Sequence, residues 1–236
     1  MQMHLKMFPE ILRALGLRLR KILAGGVLAL SLASSLAFSL VLVPMGGMAA
    51  TPVLMVLGDS LVAGHGLPQG QAFPDVLGRK LAAAGVDVRM VNAGVSGDTT
   101  AGGLARLDWS LTDMPDAAII VLGGNDLLRG LDPAASFDNL DAIITRLKAL
   151  DIPVLLAGMQ APRNFGADYA NEFDAIYRRL ADRHSVPLYP FFLEGVALRS
   201  EMNLSDGMHP NERGISHIAT NILPHVKALL SDAGSS

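Results

Sequence analysis

No cysteine occurs among the 236 residues. That excludes disulfide bonds, thiolate metal ligands, a cysteine nucleophile and a lipid-modified cysteine anchor together. Basic excess is also lacking beyond residue 50: residues 51–236 carry 14 Lys and Arg against 21 Asp and Glu. A balance of −7 leaves no electrostatic footprint for nucleic acid. Repeats, linkers and low-complexity tracts are missing as well. The 186 residues from Thr51 onward are enough for one domain with a real core, and that core must stand on packing alone.

Charge is distributed quite differently in the first 50 residues. Lys6, Arg13, Arg18, Arg20 and Lys21 face a single acid, Glu10, and Ile22 to Val43 then run without any charge. This is a basic n-region followed by an apolar h-region. Pro44, two glycines and the small residues Gly47, Ala49 and Ala50 follow, which suits cleavage after Ala49 or Ala50. The expectation is a cleaved signal peptide over 1–50 and a periplasmic or secreted domain over 51–236. The alternative is an inner-membrane anchor, because the apolar run reaches the ~20 residues that span a bilayer. Either way the positive end stays cytoplasmic and Thr51 onward crosses; membrane contact is expected only through this segment.

Within 51–236, short apolar runs alternate with longer amphipathic segments. Val53–Leu57, Val86–Val91, Ala117–Leu122, Val154–Ala157 and Val186–Tyr189 read as strands. Phe73–Ala84, Ser136–Leu150 and Tyr169–His184 read as helices, as does a final segment from Asn211 toward Leu230 that Pro224 should kink or divide. Ser231 to Ser236 reads as a frayed end. Continuous apolar strands imply burial on both faces, hence a parallel sheet between helix layers. The expected fold is a three-layer α/β/α domain with a five-stranded parallel sheet.

In such a sheet the carboxyl ends of the strands build the site. Gly58-Asp59-Ser60 follows strand one, Asn92 to Asp98 follows strand two, and Gly123-Gly124-Asn125-Asp126 follows strand three. A serine hydroxyl becomes a nucleophile only when a base takes its proton and a third group orients that base. His65 is near Ser60 in sequence but has no evident carboxylate partner, and His184, His217 and His225 fall on helices. His209 has Asp206 three residues before it, in a loop that Gly207 and Pro210 keep from regular helix. Alone, that spacing favours an ordinary polar turn, and Ser60 alone reads as a helix cap. Together with the two glycine loops on the same edge, they read as nucleophile, base and orienter. The N–H groups of Ser60 and Gly97 and the side-chain amide of Asn125 are natural donors to a developing oxyanion. Asp59 and Asp126 read as hydrogen-bonders within their loops rather than as ligands. The histidines show no close ligand spacing, so neither metal nor cofactor is expected.

The Gly-Asp-Ser-Leu at 58–61, "NAGVSGDTTAGGLARL" from Asn92, "GGND" from Gly123 and "DGMHPN" from Asp206 resemble the four blocks of the GDSL, or SGNH, hydrolases. The resemblance runs in order over 53–230 and is closest to the bacterial periplasmic arylesterase and acyl-CoA thioesterase/lysophospholipase branch. It implies the flavodoxin-like SGNH fold and a serine esterase working through an acyl-serine. It also implies Ser60, His209 and Asp206 as catalytic residues, with Gly97 and Asn125 as oxyanion donors. The expected partner is a small-molecule or lipid ester, with thioester or lysophospholipid cleavage as the alternative main activity. Leu127 and Leu128, in a loop expected to expose its leucines, are candidate substrate contacts, with Met159 and Gln160 after strand four; the competing role for that loop is packing against the final helix. An ordinary α/β-hydrolase is set aside because Val62 stands where its nucleophile motif needs glycine. The non-enzymatic alternative is an inert secreted binding domain on the same scaffold.

Overall fold

A computed structural model describes residues 51–233; the expected leader lies outside them. In chain order the main elements are β1 (Val53–Gly58), α1 (Ser60–Ala63), α2 (Phe73–Ala83), β2 (Arg89–Gly94), α3 (Thr100–Ala105), α4 (Leu107–Ser110) and β3 (Ala117–Val121). They continue with α5 (Gly124–Leu128), α6 (Pro133–Lys148), β4 (Val154–Ala157), α7 (Ala167–His184), β5 (Leu188–Tyr189) and α8 (Glu212–Ala233). The five strands form one parallel sheet in the order β2-β1-β3-β4-β5. Helices cover both sides: α2 packs against α8, and α6 against α7.

The central strands carry the core. Leu54 to Leu57 and Ala117 to Val121 are fully buried, as an all-apolar run must be when both faces are covered. Each such large aliphatic side chain contributes about 1.5–3 kcal/mol relative to exposure. The chain leaves β1 toward β2 on one side and returns to β3 on the other, so the sheet reverses its strand order at β1. The crevice beyond the carboxyl ends of β1 and β3 is the place where such sheets bind ligands.

The structure corrects several boundaries. Strand two lies at Arg89–Gly94, not Val86–Val91. The Val86 N–H donates to the Leu81 carbonyl and closes α2, and pairing with β1 begins only at Arg89. As an edge strand β2 is only partly buried, so it carries no continuous apolar run. It can extend to Gly94 because that residue lacks a side chain: a Cβ there would lie 2.3 Å from the Ala63 nitrogen. The final helix is one element containing Pro224, undivided, and it runs through Ser231 to Ala233. Its buried face, Ile215, Ile218, Ala219, Ile222, Val226 and Leu229, is continuous across the proline, so packing overrides the missing N–H.

Candidate active site

Ser60 is the first residue of α1, set directly beyond β1. The Asp59 Oδ1 accepts from the Leu61 N–H at 3.0 Å and fixes this turn. His209 comes from a loop closed by the bridge between Asn203 and Pro210 and by a 2.7 Å bond from the Leu204 N–H to the His209 carbonyl. Inside that loop Asp206 Oδ1 accepts the N–H groups of Met208 and His209 at 2.9 and 3.0 Å. Its Oδ2 stands 2.7 Å from His209 Nδ1, and His209 Nε2 stands 3.0 Å from Ser60 Oγ. The backbone N–H of His209, then that of Met208, then the imidazole, hold the Asp206 carboxyl well below the usual carboxylate range. With an ionised acceptor on Nδ1–H, Nε2 keeps the lone pair that faces the serine hydroxyl.

Two further loops meet Ser60 on the same edge. Gly97 sits at φ 86°, a left-handed conformation that glycine adopts at little cost. Its carbonyl accepts from Arg129 Nη2 at 2.7 Å, which pins the loop after β2 to the loop after β3. Arg106 braces the same loop by donating to Asp98 at 2.5 Å and to the Gly58 carbonyl at 2.8 Å. Asn125 lies in the short helix α5 rather than in an open loop, and its Nδ2 donates to Asp59 Oδ2 at 3.1 Å. One amide N–H engages Asp59; an amide has two.

Both acids are hydrogen-bonders, but not only within their own loops: Asp59 caps its own turn and also reaches Asn125, and the Asp126 side chain bonds to other elements, a correction to the expected local bonding. Asp126 accepts from the Thr100 N–H at 2.8 Å, from the Thr100 hydroxyl at 2.6 Å and from the Ser136 hydroxyl at 3.1 Å. Asp59, 1% exposed, ties the Ser60 turn to Asn125. Burial pushes its carboxyl up from 3.8 to about 6, against the pull of Leu61 N–H and Asn125. A carboxyl raised in the folded state favours the fold below its unfolded value, and that contribution is lost as pH rises through the folded value. Wild type should therefore lose about 2 kcal/mol relative to Asp59→Asn between pH 4 and pH 6.5, the part of the rise from 3.8 to about 6 that this range spans at about 1.36 kcal/mol per pH unit. Urea unfolding of both proteins across this range measures it; parallel stability curves would mean that Asp59 does not carry the raised value.

Two of the expected substrate contacts do not reach the surface. Leu127 is 6% exposed and Met159 is 4% exposed, both packed into the core. Helical winding of α5 turns Leu127 inward and Leu128 outward. Leu128 and Leu131 are exposed, as is Gln160. The loop after α5 meets α7: the Tyr169 hydroxyl donates to the Leu131 carbonyl at 2.9 Å, and Phe165 stacks on Tyr169 with ring centres 5.8 Å apart. Neither aromatic stood out in the sequence, since they enter the site region from a distant helix and the turn before it.

His65 lies against His209, ring centres 4.5 Å apart and planes 40° apart. One donor atom each from His65, His209 and Asp206 falls within 4.8 Å of the others, a grouping able to hold a metal ion. The fold brings together residues 144 positions apart, which ligand spacing along the chain does not reveal.

The model of the GDSL-like Lipase/Acylhydrolase family matches residues 56–215. Esterase TesA of Pseudomonas aeruginosa is 41% identical over 192 residues, 81% of this chain and 96% of that protein. Thioesterase 1/protease 1/lysophospholipase L1 of Escherichia coli K12 is 38% identical over 184 residues, covering 78% and 87%. The crystal structure of AlinE4, an SGNH-hydrolase family esterase, is 46% identical, covers 78% of this chain and 98% of that one, and superposes with a TM-score of 0.66.

Proposed function

The chain belongs to the GDSL-like lipase/acylhydrolase family and is a carboxylic ester hydrolase, and we propose that it works through an acyl-enzyme on Ser60, with His209 as base and Asp206 as its orienter. The observation that carries this assignment is the continuous contact from Asp206 Oδ2 through both nitrogens of His209 to Ser60 Oγ. Ser60 Oγ attacks the ester carbonyl while Nε2 of His209 takes its proton, and the ionised Asp206 stabilises the imidazolium. The new oxyanion accepts from the N–H groups of Ser60 and Gly97 and from the second N–H of Asn125. Collapse breaks the ester C–O bond, and His209 returns the proton to the leaving alcohol. Water then attacks the acyl-serine, His209 again accepting a proton, and the carboxylic acid departs with Ser60 restored.

The substrate is a small acyl or aryl ester. The name of the E. coli relative supports adding acyl thioesters and lysophospholipids to the range. Profiling p-nitrophenyl esters from acetate to palmitate beside acyl-CoA and lysophospholipid separates these, and an enzyme inert to all of them would overturn the reading. The exposed Leu128, Leu131 and Phe165 supply an apolar rim near Asn125, where Gln160 remains a candidate contact. Each methylene removed from water contributes about 0.8 kcal/mol. Leu128→Ser is expected to lower kcat/KM about tenfold on octanoate while leaving acetate within about twofold, roughly a two-methylene loss. Equal proportional losses on both esters would assign Leu128 to support of the loop.

The leader belongs to this proposal too. Among the described residues no helix is long and apolar enough to cross a membrane, and a cleaved signal delivers the domain to the periplasm or medium. The mass of the exported protein should place its first residue at Ala50 or Thr51; an intact leader would favour the anchored alternative.

A further inference from the structure

We propose that His65, His209 and Asp206 form a capture site for a divalent transition cation of the zinc type, and that the captured cation reversibly switches hydrolysis off. The proposal rests on His209 being the base.

The donor set decides the class of ion. Two imidazoles and one carboxylate match the nitrogen and oxygen ligands of zinc, three from the protein with the fourth position left to water. Magnesium and calcium prefer all-oxygen shells and are poorly served here. The three donor atoms already lie within 4.8 Å of one another. Zinc holds such ligands at about 2.0–2.2 Å, so a tetrahedral site needs its donors roughly 3.4 Å apart. The closure required is on the order of 1 Å, and His65 can supply it. Its side chain is exposed. It follows Gly64, the left-handed cap that ends α1 at φ 83°, which turns the chain back toward the His209 loop. The Asp206 and His209 backbones are held by their own loop bonds; Asp206 Oδ2 and His209 Nδ1, 2.7 Å apart, must open by roughly 0.7 Å to share the cation, and His65 swings in as the third ligand.

Binding at either nitrogen of His209 disables the base. At Nε2 the cation takes the lone pair that must accept the serine proton. At Nδ1 it displaces the contact with Asp206 and leaves the ring proton on Nε2, facing Ser60 with no acceptor. The contact of His65 with Ser60 is a backbone one, its N–H donating to the Ser60 carbonyl at 3.2 Å, which alanine keeps; its side chain has no step in the proton path, so removing that side chain separates metal capture from hydrolysis.

The test has a binding arm and a rate arm. Zinc chloride is titrated calorimetrically into Ser60→Ala and into the double variant Ser60→Ala, His65→Ala; ester hydrolysis by wild type and His65→Ala is followed against zinc, with magnesium as control and EDTA added afterwards. One zinc ion per chain is expected, bound at least tenfold more weakly without His65. The inhibitory zinc concentration should rise by the same factor in His65→Ala, EDTA should restore wild-type activity, and magnesium should do nothing. Equal zinc affinity with and without His65, or no binding at millimolar zinc, overturns the site and leaves the catalytic reading standing. Zinc bound through His65 with undiminished turnover overturns the switch.

Discussion

Ser60→Ala is expected to lower ester turnover by about 10⁴–10⁶-fold and to abolish labelling by a fluorophosphonate, with the fold intact. Losses of this order follow when a nucleophile working as one unit with its base is removed. The fold should survive because the hydroxyl's bond is to His209 alone among the contacts found for it. What holds α1 is backbone: the Ser60 carbonyl accepts the N–H groups of Gly64 and His65, and Asp59 caps the turn through Leu61. Alanine keeps all of these and suits a helix. Circular dichroism and unfolding should be unchanged while rate and labelling vanish. Labelling that persists in the variant would place the nucleophile elsewhere. His209→Ala should match it in rate, since a serine without its base attacks poorly.

That Ser60 can be placed at the end of β1 from the chain alone follows from what local sequence encodes. β1, β3 and β4 are runs buried on both faces, so their residues are uniformly apolar and their ends are sharp. The residues just beyond those ends, Gly58 to Ser60 and Gly123 to Asn125, are thereby placed on one edge. Asp206 and His209 are three residues apart, and their bond is made inside one loop. Where pattern failed, the deciding contact was distant. β2 is an edge strand whose half-exposed residues blur its start, and α5 is a one-turn helix that turns Leu127 into the core although the sequence reads as a loop. Thr99 caps α3 by accepting from the Gly102 N–H, so the pair Gly102 and Gly103 is wound into a helix that no apolar period announces. The contacts of His65 with His209, of Arg129 with Gly97, and of Asp59 with Asn125 each join separate loops. No spacing along the chain marks them.

The last of those contacts makes Asn125 a sharp test of the oxyanion assignment. Asn125→Ala is expected to reduce kcat by about 10²–10³, or about 2.7–4 kcal/mol, with KM changed far less. The side chain is held by Asp59 at 3.1 Å, so its remaining N–H is aimed before substrate arrives and needs no reorganisation as charge develops. A donor that meets full negative charge only in the transition state lowers kcat when lost, whereas one that binds the neutral ester equally would raise KM. Truncation also strips Asp59 Oδ2 of a buried partner, which should cost stability as well. The split between kcat and KM is therefore the readout, with unfolding measured alongside. Burst kinetics on a p-nitrophenyl ester isolate the acylation step. A normal kcat with a lowered unfolding midpoint would assign Asn125 to bracing Asp59, and the oxyanion would then have to rest on the backbone N–H groups of Ser60 and Gly97.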